Sequence, residues 1–575
     1  MPPALERLWR TVAVDEVQVD ALVLQRSLPR PLARVLVGRG LSDAETAERH
    51  LNPRLSELGD PFLLPAMAPA VERLWQAIRA REPVVVFGDY DVDGITSTAL
   101  LVQVLRQLGA QVQPFLPQRV EEGYGLSMDA LARCLETCQP RLIVTVDCGT
   151  SAQASVREAA RLGVDVVVTD HHTPGPELAP AVALVNPKLG GPESLHVLAG
   201  VGVTFKLCHA LLKRGRELSQ SGVDGLDLRR HLDLVALGTI ADIVPLVGEN
   251  RILARHGLRQ LNQTECPGLR HLIEVAGITG VMDAYEVGFR LGPRLNAAGR
   301  LGDAQRSLEL LLGGTEERLR ELAMELDATN RERQSVEATM VEQAIADVDA
   351  RYDPAAHFAL VTAHPDWHPG VVGIVASRLV QRYHRPTVVI GLGVEGGRGS
   401  GRSIEGFDLV GALSECAGHL KKFGGHTMAA GLEMEAGQVA AFAEQFNQVA
   451  ARRLQGMDLR PVQRVDAWMD LAEADDRLWD GLEQLRPFGV GNTTPIWASA
   501  RVRLVGRPRV VGKGHLKLVV AGGGVQREAM GWGMGDRALP DGPLDITYQL
   551  KRDHYLGQDK LVLTLQDFRP AGTAP

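Results

Sequence analysis

VVVFGDYDVDGITST, residues 84–98, puts aspartates at alternate positions, Asp89, Asp91 and Asp93, directly after a run of apolar residues. VVVF reads as a buried strand, so like charges are crowded where that strand leaves the core. Their mutual repulsion makes the arrangement costly unless a cation sits among them. DYDVDG matches the opening of an EF-hand calcium loop. The loop's last position is Leu100 where a bidentate glutamate is needed, and the segment follows a strand, not an amphipathic helix. The EF-hand reading fails on both counts.

Working outward, the pattern predicts a helix from about Ser97 to Leu108. LIVTVDCG (142–149) follows as a second apolar run, then the helical SAQASVREAARLG, then VDVVVTDHH (164–172) as a third run. Short β-branched runs separated by helices predict parallel βαβ units, whose ligands bind beyond the C-terminal strand ends. Successive strand ends thus deliver Asp89/Asp91/Asp93, Asp147 and Asp170/His171/His172. Asp242 comes near the end of LRRHLDLVALGTIADIVPL (228–246), apolar at helical spacing. Any one of these aspartates alone reads as a turn or helix cap, and Asp170 fits that description. As a group they suit Mn²⁺ or Mg²⁺. Two ions about 3.5–4 Å apart would serve phosphoryl transfer, and Asp91, Asp93, Asp147, His171 and Asp242 would suffice to hold them.

The whole chain bounds these readings. Its 575 residues exceed one core and predict three or four domains. The N-terminus lacks a signal-peptide pattern and no stretch is apolar enough to span a membrane, so a cytoplasmic protein without membrane contact is expected. Six cysteines in such a length predict reduced thiols. A net charge of −8 argues mildly against a nucleic-acid binder, but RVRLVGRPRVVGKGHLK (501–517) is basic and free of acids. Residues 316 to about 350 read as one long charged helix with Leu319, Leu322, Leu326, Val336, Met340 and Ile345 on its apolar face. A second α/β unit follows over 356–454. It contains the glycine-rich EGGRGSGRSIEGF (395–407), a composition more often found in turns. From about residue 460, short strands with Gly/Pro turns predict a small β-barrel.

DYDVDG, VDCG and TDHH, in that order, resemble the DHH phosphoesterase superfamily. GTIADIVPL, GPRLNAAGRLGDA (292–304), SGRS (400–403) and FGGH (423–426) are similar to its RecJ family of single-strand-specific 5′→3′ DNA exonucleases. The resemblance implies a multidomain α/β fold: a parallel-sheet DHH domain joined by a long helix to a DHHA1 α/β domain, plus a C-terminal OB-fold β-barrel. The corresponding spans are an N-terminal segment 1–50, a DHH domain with helical extension 51–302, a connecting helix 303–352, DHHA1 353–455 and the OB-fold 456–575. It implies Asp91, Asp93, Asp147, His171 and Asp242 as ligands of two Mn²⁺ or Mg²⁺ ions, with Asp147 bridging and Asp89 as a ligand or supporting acid. Asp93, Asp147, His171 and His172 would form the catalytic group, with His172 facing the scissile phosphate. Ser400, Gly401 and Arg402 would grip a 5′-terminal phosphate, helped by Arg119 and Arg294, and by Arg300 and Asn296. His426 would lie near the substrate. Arg501, Arg503, Arg507, Arg509, Lys513 and Lys517 fit an OB-fold face that tracks single-stranded DNA. Tyr124 is a packed residue or a base-stacking one. A single-strand-binding protein and a RecQ-type helicase are the implied partners, and recombination and repair the implied setting. Some relatives carry a further C-terminal domain where this sequence ends, so contacts made through it are not assumed. The rival readings are a phosphodiesterase of the superfamily acting on oligoribonucleotides or cyclic dinucleotides, and an inactive single-strand-binding scaffold.

Overall fold

The computed structural model describes residues 6–118, 122–301, 303–394, 396–553 and 559–572. Its first sheet has five parallel strands, β1 (Pro83–Gly88), β2 (Gln111–Phe115), β3 (Leu142–Val146), β4 (Asp165–Thr169) and β5 (Ala183–Val185), in spatial order β2-β1-β3-β4-β5. Val84, Val86, Leu142 and Val144 pack into one core, while Val85, Phe87, Ile143 and Val168 pack into another. Strands apolar on both faces must be covered on both, which is why the runs read as unbroken hydrophobics. The strand order reverses between β1 and β3, so the loops leaving these two strands diverge and open a crevice at their C-terminal ends.

Helix α1 (Val92–Gln107) starts well before Ser97, where the patterning set its beginning. Asp91 is its N-cap, the side-chain Oδ1 accepting the N–H groups of Asp93 and Gly94 at 3.0 and 3.1 Å. The acidic cluster is therefore split between a strand end and a helix start. Helices α2 (Gly200–Glu217), α3 (Leu232–Ala241), α4 (Gly248–Leu261) and α5 (Gly292–Leu301) pack on the face of Val84 and Val86, and the helices Met128–Cys138 and Gln153–Arg161 cover the face of Val85 and Phe87. The long helix α6 runs from Glu316 to Asp349, with a separate short helix, Gln305–Leu312, before it.

The chain divides into two compact bodies, and the division falls within α6 at Thr329/Asn330. In the first half of α6, Leu319, Leu322, Ala323 and Leu326 join the core of the parallel sheet. In the second half Met340, Ala344 and Val348 are buried, while Val336 and Ile345, expected on the apolar face, are only half-buried. The two halves of the helix belong to different bodies, so one continuous stripe does not describe it.

The body built around Asn330–Arg464 holds a mixed sheet of β6 (Leu360–His364), β7 (Thr387–Gly393), β8 (Gly396–Arg402), β9 (Lys422–Gly425) and β10 (Ala429–Met434), ordered β9-β10-β8-β7-β6. Helix α7 (Val372–Tyr383) connects its parallel pair β6 and β7. The glycine-rich segment is not a turn: it forms β8, the middle strand, paired on both sides. A Cβ at Gly399 would press on Leu432 and Ile390, so close packing against the sheet's own side chains explains the composition.

The C-terminal strands are β11 (Ala467–Trp468), β12 (Trp497–Leu504), β13 (Arg509–Val511), β14 (His515–Gly522), β15 (Val525–Gly531), β16 (Leu544–Asp553) and β17 (Lys560–Pro570). Pairing runs β12-β16-β17-β15-β14 and returns from β14 to β12, closing a five-stranded barrel of OB type. Its core is shared with the N-terminal segment: Val19, Leu22, Leu32 and Leu36 pack with Leu478, Leu482, Trp497 and Tyr548. The N-terminal residues from Thr11 thus form part of the barrel's support, and all lie in the same body as the parallel sheet.

Arg251, with Arg255 beside it, ties these parts together. Arg251, on α4 and 1% exposed, donates from Nε to the His50 carbonyl at 2.7 Å. Its Nη atoms donate to the carbonyls of Leu485, Gln484 and Arg486 at 2.8, 3.0 and 3.0 Å, at the end of helix α8 (Asp476–Leu485) that leads into the barrel. Replacing it by Met would take the Nε donor from the His50 carbonyl and one of two donors from each of the carbonyls of Gln484, Leu485 and Arg486, a loss of about 3 kcal/mol. Arg251→Met should therefore lower the midpoint of denaturant unfolding markedly. Arg251→Lys should not restore it, because an ammonium cannot fork to carbonyls on several sides. A midpoint unchanged in the Met variant would remove this arginine from the account of domain docking.

Candidate metal centre

The crevice beyond β1 and β3 collects the predicted acids. Asp89 leaves β1, Asp91 and Asp93 open α1, Asp147 leaves β3, His171 and His172 follow β4, and Asp242 ends α3. Three groups of donor atoms lie within 4.8 Å of one another: Asp93, His171 and Asp242; Asp89, Asp91 and Asp147; and Asp147, His171 and His172. Asp147 and His171 each occur in two of them. His171 Nε2 stands 3.1 Å from Asp147 Oδ1, 3.7 Å from Asp242 Oδ2 and 3.9 Å from Asp93 Oδ2.

Backbone positions Asp93 and Asp147. Asp93 Oδ2 and Oδ1 accept the N–H groups of Gly200 and Val201 at 2.7 and 2.8 Å, so the N-terminus of α2 holds this carboxylate. Asp147 adopts φ +61°, a left-handed conformation that non-glycine residues rarely hold, and this aims its side chain into the crevice. A Cβ on Gly200 would lie 2.6 Å from Asp147 Oδ1, so only glycine lets α2 approach here. Gly94, the last residue of DYDVDG, has a parallel reason: a Cβ would run into the backbone of Asp89.

The electrostatics show what the arrangement costs. Burial and the charge of Asp91 raise Asp93 to about 7, against the opposing pull of the two α2 N–H groups. Burial, then Asp93 and Asp91, push Asp242 up to about 9. Asp89 and Asp147 are likewise driven well above the ordinary carboxylate range, burial being the first cause. His171 is lowered to about 3 by burial and by His172. Among the buried side-chain atoms without a hydrogen-bond partner are Asp89 Oδ1, Asp147 Oδ1, His171 Nε2 and Asp242 Oδ2. Orphaned carboxylate oxygens and an imidazole nitrogen converging on one point are the donor set of a hard or borderline divalent cation, and the residues present fit one or two such ions.

Asp170 behaves differently from its neighbours. Its Oδ1 accepts the N–H groups of His171 and His172 and faces His172 Nδ1 at 2.8 Å, while Oδ2 accepts Thr150 N–H at 2.9 Å. Burial would raise it, but these bonds and the His172 charge hold it below the ordinary range. An ionised Asp170 only accepts, so Nδ1 of His172 carries the proton and Nε2 faces Tyr124 Oη at 2.9 Å. Tyr124 is therefore half-exposed and bonded to the histidine, neither simply packed nor free. Burial lowers His172, but the bond to Asp170 and the surrounding acids prevail and its pKa is raised.

Other residues in this body had no sequence signal beyond their neighbourhood. Asn186, fully buried, donates to Thr150 Oγ1 and to the His172 carbonyl, both at 2.9 Å. Asn296 was singled out as a DNA contact; its Oδ1 accepts Val92 N–H at 3.1 Å and so pins the start of α1. Arg294, on the same helix α5, pairs with Asp327 at 2.9 Å and donates to the Arg290 carbonyl. Arg300 is half-buried on α5. Arg119 lies outside the described residues.

In the second body, Ser400, Gly401 and Arg402 lie together at the end of β8. Arg402 Nη1 donates to Ser400 Oγ at 2.9 Å and to the Gly401 carbonyl at 2.8 Å. The first turn of α7 lies over them: a Cβ on Gly373 would stand 3.0 Å from both Arg402 Nη2 and Ser400 Oγ. Burial lowers the Arg402 guanidinium. A helix start, a hydroxyl and a guanidinium side by side suit an anion. His426 is exposed in the turn between β9 and β10.

On the barrel, Arg501, Arg503, Arg507, Arg509 and Lys513 are exposed. The run is acid-free in sequence but not in space: Lys517 pairs with Glu528 of the neighbouring strand at 3.2 Å.

Comparison with known proteins recognises the three domains. Residues 83–239 match the DHH family, N-terminal domain; 355–452 match the DHHA1 domain; 465–567 match the RecJ OB domain. The chain is 38% identical over 567 residues to the single-stranded-DNA-specific exonuclease RecJ of Bacillus subtilis, covering 97% of this chain and 70% of that protein. It is 39% identical to the exonuclease of the same name from Dickeya dadantii, over 95% of this chain and 97% of that one. The crystal structure of Thermus thermophilus RecJ in complex with Mn²⁺ superimposes with a TM-score of 0.83 at 33% identity, covering 98% of this chain and 80% of that one. With its DHH, DHHA1 and RecJ-type OB domains in this order, the chain belongs to the RecJ family of the DHH superfamily.

Proposed function

We propose that the protein is a divalent-metal-dependent exonuclease that degrades single-stranded DNA from the 5′ end and releases 5′-mononucleotides. The observation that carries this is the convergence of unpartnered buried oxygens of Asp89, Asp147 and Asp242 with His171 Nε2 at the switch point of a parallel sheet. Asp89, Asp91, Asp93, Asp147, His171 and Asp242 would hold Mn²⁺ or Mg²⁺, with Asp147 shared. Such ions, when bound, supply an activated water and offset the charge on the phosphodiester. His172, oriented by Asp170 and Tyr124, faces the same crevice and would hold a phosphate oxygen or a proton at its Nε2. Ser400, Gly401 and Arg402, under the start of α7, are read as the grip for a 5′-terminal phosphate. Family membership supports that reading and the 5′→3′ polarity. Arg119, Arg294, Arg300, Asn296 and His426 remain candidate substrate contacts, Asn296 also through its hold on α1.

No described helix is long and apolar enough to cross a membrane. A cytoplasmic enzyme of recombination and repair, working beside a single-strand-binding protein and a RecQ-type helicase, is the setting that family membership supports.

The direct test is digestion of an internally labelled single strand, blocked in turn at each end, with Mn²⁺, with Mg²⁺ and with EDTA, beside a duplex. Metal-dependent mononucleotide release only from a free 5′ end is expected. Binding without cleavage under every metal would leave a single-strand-binding scaffold instead. Asp147→Ala should lower the rate by at least about a thousandfold while leaving single-strand affinity within about threefold. A second readout does not use activity. Mn²⁺ should raise the thermal midpoint of the wild type, because the ion binds the folded site and relieves repulsion that unfolding otherwise relieves. The rise should vanish in Asp147→Ala, and its persistence there would place the ion elsewhere.

A further inference from the structure

Beyond the edge strand β5 the chain passes through a short 3₁₀ turn, Pro187–Leu189, whose middle residue is Lys188. Its backbone is fixed to the crevice wall. The Asp170 N–H donates to the Val185 carbonyl at 3.0 Å, so β5 ends beside the segment that carries both histidines. Asn186, wholly buried, then ties down the turn from both ends of its amide. Its Oδ1 accepts the Lys188 N–H at 2.9 Å, and its Nδ2 donates to the His172 carbonyl at 2.9 Å. One side chain thus links the root of Lys188 to His172.

Lys188 is exposed, and its charge is felt inside the crevice. Partial burial lowers its ammonium against the pull of Asp170 and Asp242. Behind burial and His172, the same charge helps to lower His171. Yet Asp170 and Asp242 have histidines as their near partners, and among the described residues Lys188 Nζ forms no ion pair with either. This placement serves neither the fold nor a metal ion. Asp170 is already satisfied by three backbone N–H groups and His172. An ammonium has no lone pair to give a cation, and one this close weakens the hold on it. What it suits is the anion that the ions attract. The five carboxylates of the centre outweigh two divalent ions by one charge before any phosphodiester arrives. A compact ammonium on a flexible stem and a rigid root supplies the opposite charge.

We propose that Lys188 is a substrate-binding residue that takes the phosphate next to the scissile one, on its 3′ side. The inference rests on the reading of the protein as a 5′ exonuclease and adds a contact to it. Strand order supplies the position. Asp147 stands at the end of β3, and β5 lies two strands away, roughly 10 Å across the sheet. The carboxylates and His172 surround the place of the scissile phosphate, so an ammonium rooted beyond β5 meets the neighbouring one. The 5′ side of the cut offers only the terminal phosphate, which Ser400, Gly401 and Arg402 are read as gripping.

The test is single-turnover digestion with Mn²⁺ of 5′-phosphorylated oligothymidylates, reading release of the first nucleotide at several enzyme concentrations. Lys188→Met should raise the half-saturating concentration about tenfold and leave the maximal rate within about threefold. Lys188→Arg should recover most of that loss. With one uncharged methylphosphonate at the second linkage, wild type and Lys188→Met should behave alike, because the contacted charge is gone. With the methylphosphonate at the fourth linkage, the difference should return. A readout without cleavage accompanies these: Mn²⁺ should raise the thermal midpoint of Lys188→Met at least as far as that of wild type, since a repelling charge has been removed. The proposal is overturned if Lys188→Met matches wild type on the all-phosphate strand, if the gap survives a neutral second linkage, or if Arg is no better than Met. A smaller Mn²⁺ shift in Lys188→Met would also overturn it, making the lysine a support of the metal centre. A wild type that never cuts fails the nuclease reading and takes this inference with it, whereas cutting that ignores Lys188 fails the inference alone.

Discussion

Carboxylates buried side by side at one sheet edge repel each other, and much of the first body is organised to hold them there regardless. Asp89, Asp93 and Asp147 are almost wholly out of water, and burial, with their neighbours' charges, lifts each above the usual range. A protein that needed only stability would replace them with apolar side chains of similar volume. Instead the structure invests backbone in them: two N–H groups of α2 on Asp93, a left-handed φ at Asp147, and Gly200 where any side chain would collide. These devices fix geometry without neutralising charge. What they leave unsatisfied is a set of oxygens and one nitrogen that a divalent cation satisfies at once.

The topology explains why this edge was available. In the order β2-β1-β3-β4-β5, the connections from β1 and β3 leave to opposite sides, and the gap between them is the place where ligands reach strand ends. Asp89 and Asp147 stand at its two rims. β4 then brings His171 and His172, while the unlike partner, Asp242, arrives from a helix C-terminus. A helix C-terminus disfavours a carboxylate, so Asp242 gains nothing from its local position. Its placement makes sense only through what the other five residues share with it.

Much of this was legible in the sequence. The alternating aspartates, the strand-end acids and Asp242 announce themselves because each ends an apolar run with a local period. What stayed hidden was long-range. That α1 begins at Val92 depends on Asp91 folding back as its cap, and that Asp93 is gripped depends on a helix more than a hundred positions away in sequence. The glycine-rich segment 396–402 looked like a turn because composition does not reveal two flanking strands that need room. Likewise the acid-free run 501–517 meets Glu528 only through strand pairing. Asn186 and Tyr124 act through hydrogen bonds to residues distant in sequence, which leave no periodic trace.

The joint between the barrel and the parallel sheet is held differently from either core. It is made in large part by Arg251 and Arg255 donating to the carbonyls of Gln484, Leu485 and Arg486, with the N-terminal segment wedged into the barrel's core behind them. Apolar contacts alone tolerate sliding, since any face of similar area will do. A buried guanidinium whose bonds run to carbonyls of the His50 and 484–486 segments allows one arrangement, because every alternative leaves donors and acceptors unpaired in a dry interface. Directional polar bonds at that joint therefore set the barrel's outer face at a fixed offset from the crevice that gathers the acids. An enzyme that removes residues one at a time from a flexible strand has use for that constancy. The strand itself supplies no rigidity, so the distance between where it is held and where it is cut must come from the protein.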